Sequence, residues 1–463
     1  MTATPETPLP ESPLPEAPLP EDRLPENPLP RDKFLWGVAT SAFQTEGAPT
    51  SDWAHWKIAD AADQAARLRG VGHHERTADD LELVSELGLN AYRFSVSWSR
   101  VVPRPGEWVQ DEVDRCVNIA VTLRQKGIEP VVTLHHFAAP AWLAERGLDW
   151  TEDAFVEEFI SFATRIVGAL RGTVKIWLTL NEPNVHVSGG YLGGMTPPGK
   201  TGLRAAHRAL VNMLRAHARL YTVIHGLCPG AAVGITHNML PFRPDRPDSF
   251  LDRRAAAILD RLYNQSVLEA FRTGRVTLRL LPFGRIAALP LVGRLDFLGV
   301  NYYTRAHVNF TEFHPSRLGY FWEDRTGRGL TETGWEVCPE GFAEVLRAAS
   351  SLGVPLVITE NGTAETDDAR KIAFMRDHLE VMQRCRAEGV DVRGYFWWSL
   401  LDNYEWLIGL GPRFGLYRVD FTTLERTRTA AADEFAAHAA GRSGTILGDM
   451  GETSSTSDQP VST

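Results

Sequence analysis

The chain has 463 residues, 23% of them charged and 43% hydrophobic, and a formal net charge of −10. This is ordinary globular composition, enough for one large core or two smaller ones. The acidic balance argues against a nucleic-acid or anionic-membrane partner, since both reward clustered Lys and Arg, and a neutral small molecule suits it better.

Residues 1–30 repeat a five-residue unit, Pro8-Leu9-Pro10-Glu11-Ser12, then Pro13-Leu14-Pro15-Glu16-Ala17, then Pro18-Leu19-Pro20-Glu21-Asp22. Prolines at this density lack amide donors and fix φ, which predicts an extended, solvated, disordered arm unable to build a core. Six acids against Arg23 give the arm −5, half of the chain's excess, so the remainder is nearly balanced. Its expected role is a spacer, with a ligand for an SH3-like domain as the functional alternative. No basic segment followed by an apolar one opens the chain, and no stretch approaches a membrane span, which predicts a soluble, cytoplasmic protein.

From residue 31 to 440 short apolar runs alternate with amphipathic segments. Eight runs read as strands: 34–43, 91–98, 130–136, 176–181, 232–238, 297–303, 355–360 and 392–400. Their continuous apolar character is that of parallel strands covered on both faces. Between them, residues 78–88 carry Leu81, Val84 and Leu87 at helical spacing and end at Gly88; residues 111–127 carry Val113, Val117, Ala120 and Val121 and end at Gly127. Eight such units predict a single (β/α)₈ barrel. The competing open, doubly wound sheet would call for a GxGxxG turn after an early strand, and none is present. From about Gly441 the tail to residue 463 turns rich in Ser, Thr and Gly and is expected to be disordered.

Each run ends in residues that a buried strand would not choose. In order they are Gln44, Arg93, His135-His136, Asn181-Glu182, His237-Asn238, Asn301 with Tyr302-Tyr303, Glu360-Asn361, and Trp397-Trp398 followed by Asp402, Glu405 and Trp406. Parallel barrel strands point their C-termini to one face, so these residues should converge on one pocket. Glu182 and Glu360 stand out, because an ionisable carboxyl at a barrel mouth costs desolvation unless it is paired or used. Two facing carboxyl groups, one protonated and one not, are what cleavage of a glycosidic bond requires. Taken singly, each could merely cap a helix or end a strand. The four cysteines, Cys116, Cys228, Cys338 and Cys385, show no CxxC or ligand spacing and read as reduced packing residues. Adjacent His135 and His136 should point to opposite faces of a strand, and no HxH pair occurs, so no metal site is expected. No cofactor motif and no marker of oligomeric state is present.

At these residues the sequence resembles family 1 glycoside hydrolases, the β-glucosidase group. The resemblance runs from Phe34-Leu35-Trp36-Gly37-Val38-Ala39-Thr40-Ser41-Ala42-Phe43-Gln44-Thr45-Glu46-Gly47 through Trp398-Ser399-Leu400-Leu401-Asp402-Asn403-Tyr404-Glu405-Trp406 to Arg413-Phe414-Gly415-Leu416-Tyr417. It implies a retaining β-glycosidase with Glu360 as nucleophile and Glu182 as acid/base, and with Arg93 and Tyr303 keeping Glu360 ionised and aimed. It further implies that Gln44, His136, Asn181, Asn301 and Glu405 hold sugar hydroxyls, Asn181 at the 2-hydroxyl. Trp398 should stack on the ring, and Trp406 should add a polar or stacking contact. Trp36 and Trp397 read instead as core. The phosphorylated-sugar branch places Ser where this chain has Glu405, so unphosphorylated β-glucosides are expected, with β-galactosides and β-fucosides open to the same pocket. Many relatives read His-Trp-Asp-Leu-Pro where this chain has His136-Phe137-Ala138-Ala139-Pro140, a departure at the pocket rim. A protein of another class, a non-catalytic sugar-binding relative, would have lost one carboxylate, whereas both are present here.

Overall fold

In a computed structural model, residue 29 and residues 33–57, 61–278, 286–312 and 320–441 are described. The repeat arm, Leu29 excepted, and the Ser/Thr/Gly tail expected to be disordered therefore lie outside the described residues. Eight parallel strands close into a barrel: β1 Leu35–Ala39, β2 Ala91–Ser95, β3 Glu129–Thr133, β4 Ile176–Asn181, β5 Ala232–Asn238, β6 Phe297–Tyr302, β7 Leu356–Asn361 and β8 Val392–Trp398. Neighbours follow chain order around the circle, and β8 pairs with β1 to close it. The fold is a (β/α)₈ barrel. Closure removes every sheet edge, and helices cover the outside, so nearly all strand residues are buried.

Two cores result from strand alternation. Leu35, Val131, Ile176, Leu178, Phe297, Val357 and Phe396 fill the lumen, while the alternate positions pack outward against the helices. The helices Thr77–Glu86 and Gln110–Gln125 lie within two residues of the runs expected from their periodicity. In the helix Asp153–Leu170, Ile166 is fully buried. Ile166→Ala should therefore cost about 2–5 kcal/mol, because the close-packed surroundings cannot collapse onto the void. A denaturant midpoint unchanged from that of the unaltered protein would contradict this packing.

One residue of the repeat arm is seated against the barrel. Leu29 is 1% exposed and clusters with the lumen residues Leu35 and Phe396, while Arg393 Nη1 donates to its carbonyl at 3.1 Å. A leucine between prolines reads locally as part of the repeat; only the open floor of the barrel gives it an apolar seat. Trp397 is fully buried and Trp36 packs against the same core. The four cysteines are buried and unbridged. Among the described residues no helix is long and apolar enough to cross a membrane.

Candidate active site

A cavity of ≈ 230 Å³ opens at the C-terminal ends of the strands. Of the expected site residues it is lined by Gln44, His136, Asn181, Glu182, Tyr303, Glu360, Trp398, Glu405 and Trp406. Both strands that carry the two acids are irregular there. The pairing of β7 with β6 slips between Ile358 and Glu360, and that of β4 with β5 slips between Leu178 and Asn181. Such bulges re-aim a side chain that regular alternation would send elsewhere. Glu182 itself stands at φ 44°, in the left-handed region, between the end of β4 and a helix that begins at Pro183. Proline ends the ladder and suits the first helical turn, so the strand-to-helix corner forms at the acid. Beyond Glu360, a Cβ at Gly362 would collide with the Trp398 carbonyl oxygen, and glycine alone lets β7 and β8 close up at this level.

The two acids have opposite surroundings. Glu360 Oε1 accepts from Arg93 Nη1 at 2.5 Å, and its Oε2 accepts from Tyr303 Oη at 2.6 Å. Arg93, fully buried, also donates to Asn181 Oδ1 at 2.6 Å, the Thr359 carbonyl at 3.1 Å and Thr133 Oγ1 at 3.1 Å, so its guanidinium is locked in place. Among the described residues Glu182 has no cationic hydrogen-bond partner. Its Oε1 accepts from the neutral amides of Asn301 at 2.7 Å and Asn238 at 3.0 Å. Burial, with the charge of Glu360 second, pushes the Glu182 carboxyl up to about 8. One acid is thus paired with a cation and the other is held neutral, which is the division of labour that acid-assisted displacement needs.

A third carboxyl, Glu405, is raised to about 8 by burial, with the charge of Glu360 second. Gln44 Nε2 donates to it at 3.2 Å and to the Tyr404 carbonyl at 2.9 Å, leaving the buried Gln44 Oε1 without a partner. His136 lies between Trp398 and Trp406, near-parallel to both at 6.1 and 6.2 Å. Asn181 Nδ2 donates to its Nε2 at 3.3 Å, which leaves the ring proton on an unpartnered Nδ1. Burial, and then the Arg93 charge, hold this imidazole well below its usual range and therefore neutral. Unsatisfied donors and acceptors beside indole faces are the lining a sugar requires.

Two expectations change in position. Asn301 does not line the cavity: its Nδ2 serves Glu182 and its Oδ1 accepts from Thr359 Oγ1 at 2.7 Å. Register explains this, because Asn301 pairs with Glu360 across β6 and β7 and its side chain is spent between the strands. Both polar atoms of its side chain are thus engaged within the protein. Gln44 sits not at a strand end but in a short helix, Ala42–Glu46, since β1 stops at Ala39. His135 turns away from the cavity, as alternation predicts. Asn238 was legible as a polar strand end but had no assigned role. Its Oδ1 accepts from Tyr263 Oη at 2.8 Å, and nothing local marks Tyr263, which lies in the π-helical turn Arg261–Gln265. Trp322 and Trp335, aromatic residues in loop segments that no strand-end pattern marks, also line the cavity.

The match to the glycosyl hydrolase family 1 model spans residues 26–439. The chain belongs to glycosyl hydrolase family 1. It is 33% identical to β-glucosidase A of Thermotoga maritima over 85% of this chain and 94% of that one, and 32% identical to a β-galactosidase of Pyrococcus woesei over the same shares. A solved β-glycosidase from Pyrococcus horikoshii superposes with a TM-score of 0.79 at 35% identity, covering 91% of this chain and 95% of the other. The β-glucosidase from Thermotoga maritima in complex with deoxynojirimycin gives 0.80 at 31% identity, covering 89% and 98%. This family 1 chain is accordingly a glycoside hydrolase of the β-glycosidase type. Among its described residues no group of three or more His, Cys, Asp or Glu is placed to hold a metal ion.

Proposed function

We propose that this β-glycosidase is a retaining enzyme that hydrolyses unphosphorylated β-glucosides by double displacement. The observation that carries the reading is the contrast between Glu360, paired with Arg93 and Tyr303, and Glu182, raised by burial and by the Glu360 charge within the same cavity. Glu360 attacks the anomeric carbon while protonated Glu182 gives its proton to the departing oxygen, which leaves a glycosyl ester on Glu360. Esterification removes the charge that raised Glu182, so its pKa falls and it takes a proton from the attacking water. The C1–O bond to Glu360 then breaks, and the sugar departs with its original configuration. Proton NMR of a fresh digest tests this: the β-anomer should appear first, and an initial α-anomer would overturn the reading.

Sugar recognition follows from the lining. Asn181 is set for the 2-hydroxyl, Gln44, His136 and Glu405 for the others, and Trp398 for the apolar face of the ring. No Lys or Arg lines the cavity among the described residues, so a dianionic 6-phosphate would find no cationic partner there, which disfavours it. Relatives named β-glucosidase and β-galactosidase are consistent with either configuration at C4. Glu405→Gln should lose hydrogen bonds worth about 1.5–3 kcal/mol, roughly tenfold to a hundredfold in kcat/KM on a β-glucoside. Undiminished kcat/KM in that variant, or efficient turnover of a 6-phosphoglucoside by the unaltered enzyme, would contradict the assignment.

A further inference from the structure

Behind the sugar-binding wall lies a second, smaller cavity of ≈ 30 Å³. Phe137 is the one described residue common to the linings of both cavities. On its far side the small cavity adjoins a surface groove of ≈ 460 Å³, with Asp52, Ala144, Leu148, Asp149, Pro197 and Pro198 common to both. The three spaces thus adjoin in the order surface groove, small cavity, active site, and Phe137 is the described residue that borders both of the inner two.

The lining of the small cavity calls for water. His135 is 1% exposed and neither ring nitrogen has a partner; Trp150, also 1% exposed, has an unpartnered Nε1. Leaving such groups bare would cost on the order of 1–3 kcal/mol each, and a buried water needs about 10–15 Å³ with two or more polar partners. The space accommodates about two waters by that measure. The rings of His135 and His186 meet edge to face at 5.7 Å, and burial lowers the pKa of both, so each is neutral and can donate and accept. His186 follows Glu182 by one helical turn, its amide donating to the Glu182 carbonyl at 3.1 Å.

Phe137 is held where it is by a strained backbone. At φ 67°, with Ala138 N donating to the His136 carbonyl at 2.8 Å, it is the centre of a γ-turn of the rare kind. Asp52 clamps Ala139, two residues beyond Phe137, from both sides: its amide donates to the Ala139 carbonyl at 2.9 Å, and its Oδ1 accepts from Ala139 N at 3.0 Å. The Phe137 ring lies parallel to His186 at 6.1 Å and edge-on to Trp406 at 5.2 Å. The backbone is pinned and the ring carries no polar atom, so only ring packing holds it between the two cavities.

We propose that the rear cavity supplies the hydrolytic water to the glycosyl-enzyme past Phe137, so that hydrolysis proceeds even while the aglycone side is occupied. This rests on the double-displacement reading above. The delivered water attacks the anomeric carbon, its proton goes to Glu182, and the ester bond to Glu360 breaks with the electron pair returning to that carboxylate. Front and rear supply then set the balance between hydrolysis and transfer to an alcohol.

The test uses two variants outside the sugar-binding wall. Ala144→Phe plugs the mouth from the exposed surface of the helix Ala141–Glu145, and His135→Phe fills the cavity with an apolar ring. With an aryl β-glucoside as donor and phenylethanol as acceptor, the pre-steady-state release of phenol should be unchanged. The ratio of glucoside to glucose formed should rise about threefold or more in both variants. That ratio does not depend on the fraction of enzyme folded. An unchanged ratio in both variants would overturn the rear supply while leaving the double displacement intact. An α-configured first product from the unaltered enzyme would remove the glycosyl-enzyme and the rear supply with it.

Discussion

Glu360→Gly is expected to lower hydrolysis of a β-glucoside by on the order of ten-thousandfold or more, with turnover returning when azide and an activated aryl glucoside are supplied together. Removal of the side chain empties the position of the attacking oxygens and leaves Arg93 Nη1 and Tyr303 Oη, which had donated to them, facing the gap. A small anion fits there and meets the same two donors. It attacks from the face opposite the leaving group, so the product should be the α-configured glycosyl azide. The variant also leaves a buried guanidinium without its carboxylate, a loss worth about 3–5 kcal/mol, so circular dichroism must accompany the assay. Turnover near that of the unaltered enzyme, or a β-configured azide product, would remove Glu360 from the nucleophile's role.

Glu182→Ala should show a dependence on leaving group that Glu360→Gly lacks. General acid help is worth roughly a hundredfold to ten-thousandfold where the departing oxygen needs a proton, and little where a dinitrophenolate leaves unaided. Hence kcat/KM should collapse for alkyl glucosides and cellobiose and hold for the activated aryl glucoside. The pH profile carries the same information with a definite sign. Glu182 works in its protonated form, and its pKa is raised to about 8, so kcat/KM should fall as pH rises through about 8 and that limb should be absent from Glu182→Ala. Glu405 is raised to a similar value. The limb belongs to Glu182 only if it persists in Glu405→Gln. Equal losses for activated and unactivated substrates would contradict the acid/base role.

Legibility in the sequence followed how local each cause was. The strand runs ending in Glu182 and Glu360 were readable because burial on both faces forces continuous apolar residues, and the polar residues after them had no structural reason to be there. Boundaries were less readable. The run 34–43 reads as one strand because apolar residues resume at Ala42 and Phe43, yet β1 ends at Ala39 and a helix carries Gln44. Leu29 was grouped with the repeat for the same reason, since neighbours in sequence say nothing about an open barrel floor.

Residue identity at the strand ends already determined the chemistry open to this protein: two carboxyls, an arginine, a tyrosine and indoles at the C-terminal ends of parallel strands converge in any barrel built this way. What each group touches was decided only by register and by helix placement. Slips in β4 and β7 aim the acids, pairing across β6 and β7 spends Asn301 on Glu182, and Tyr263 reaches Asn238 from a helix twenty-five positions away. Hydrophobic pattern specifies which face a residue takes, because burial acts on every residue independently. Hydrogen-bond partnership needs two groups within about 3 Å of each other, a distance set by packing among elements that the pattern does not order.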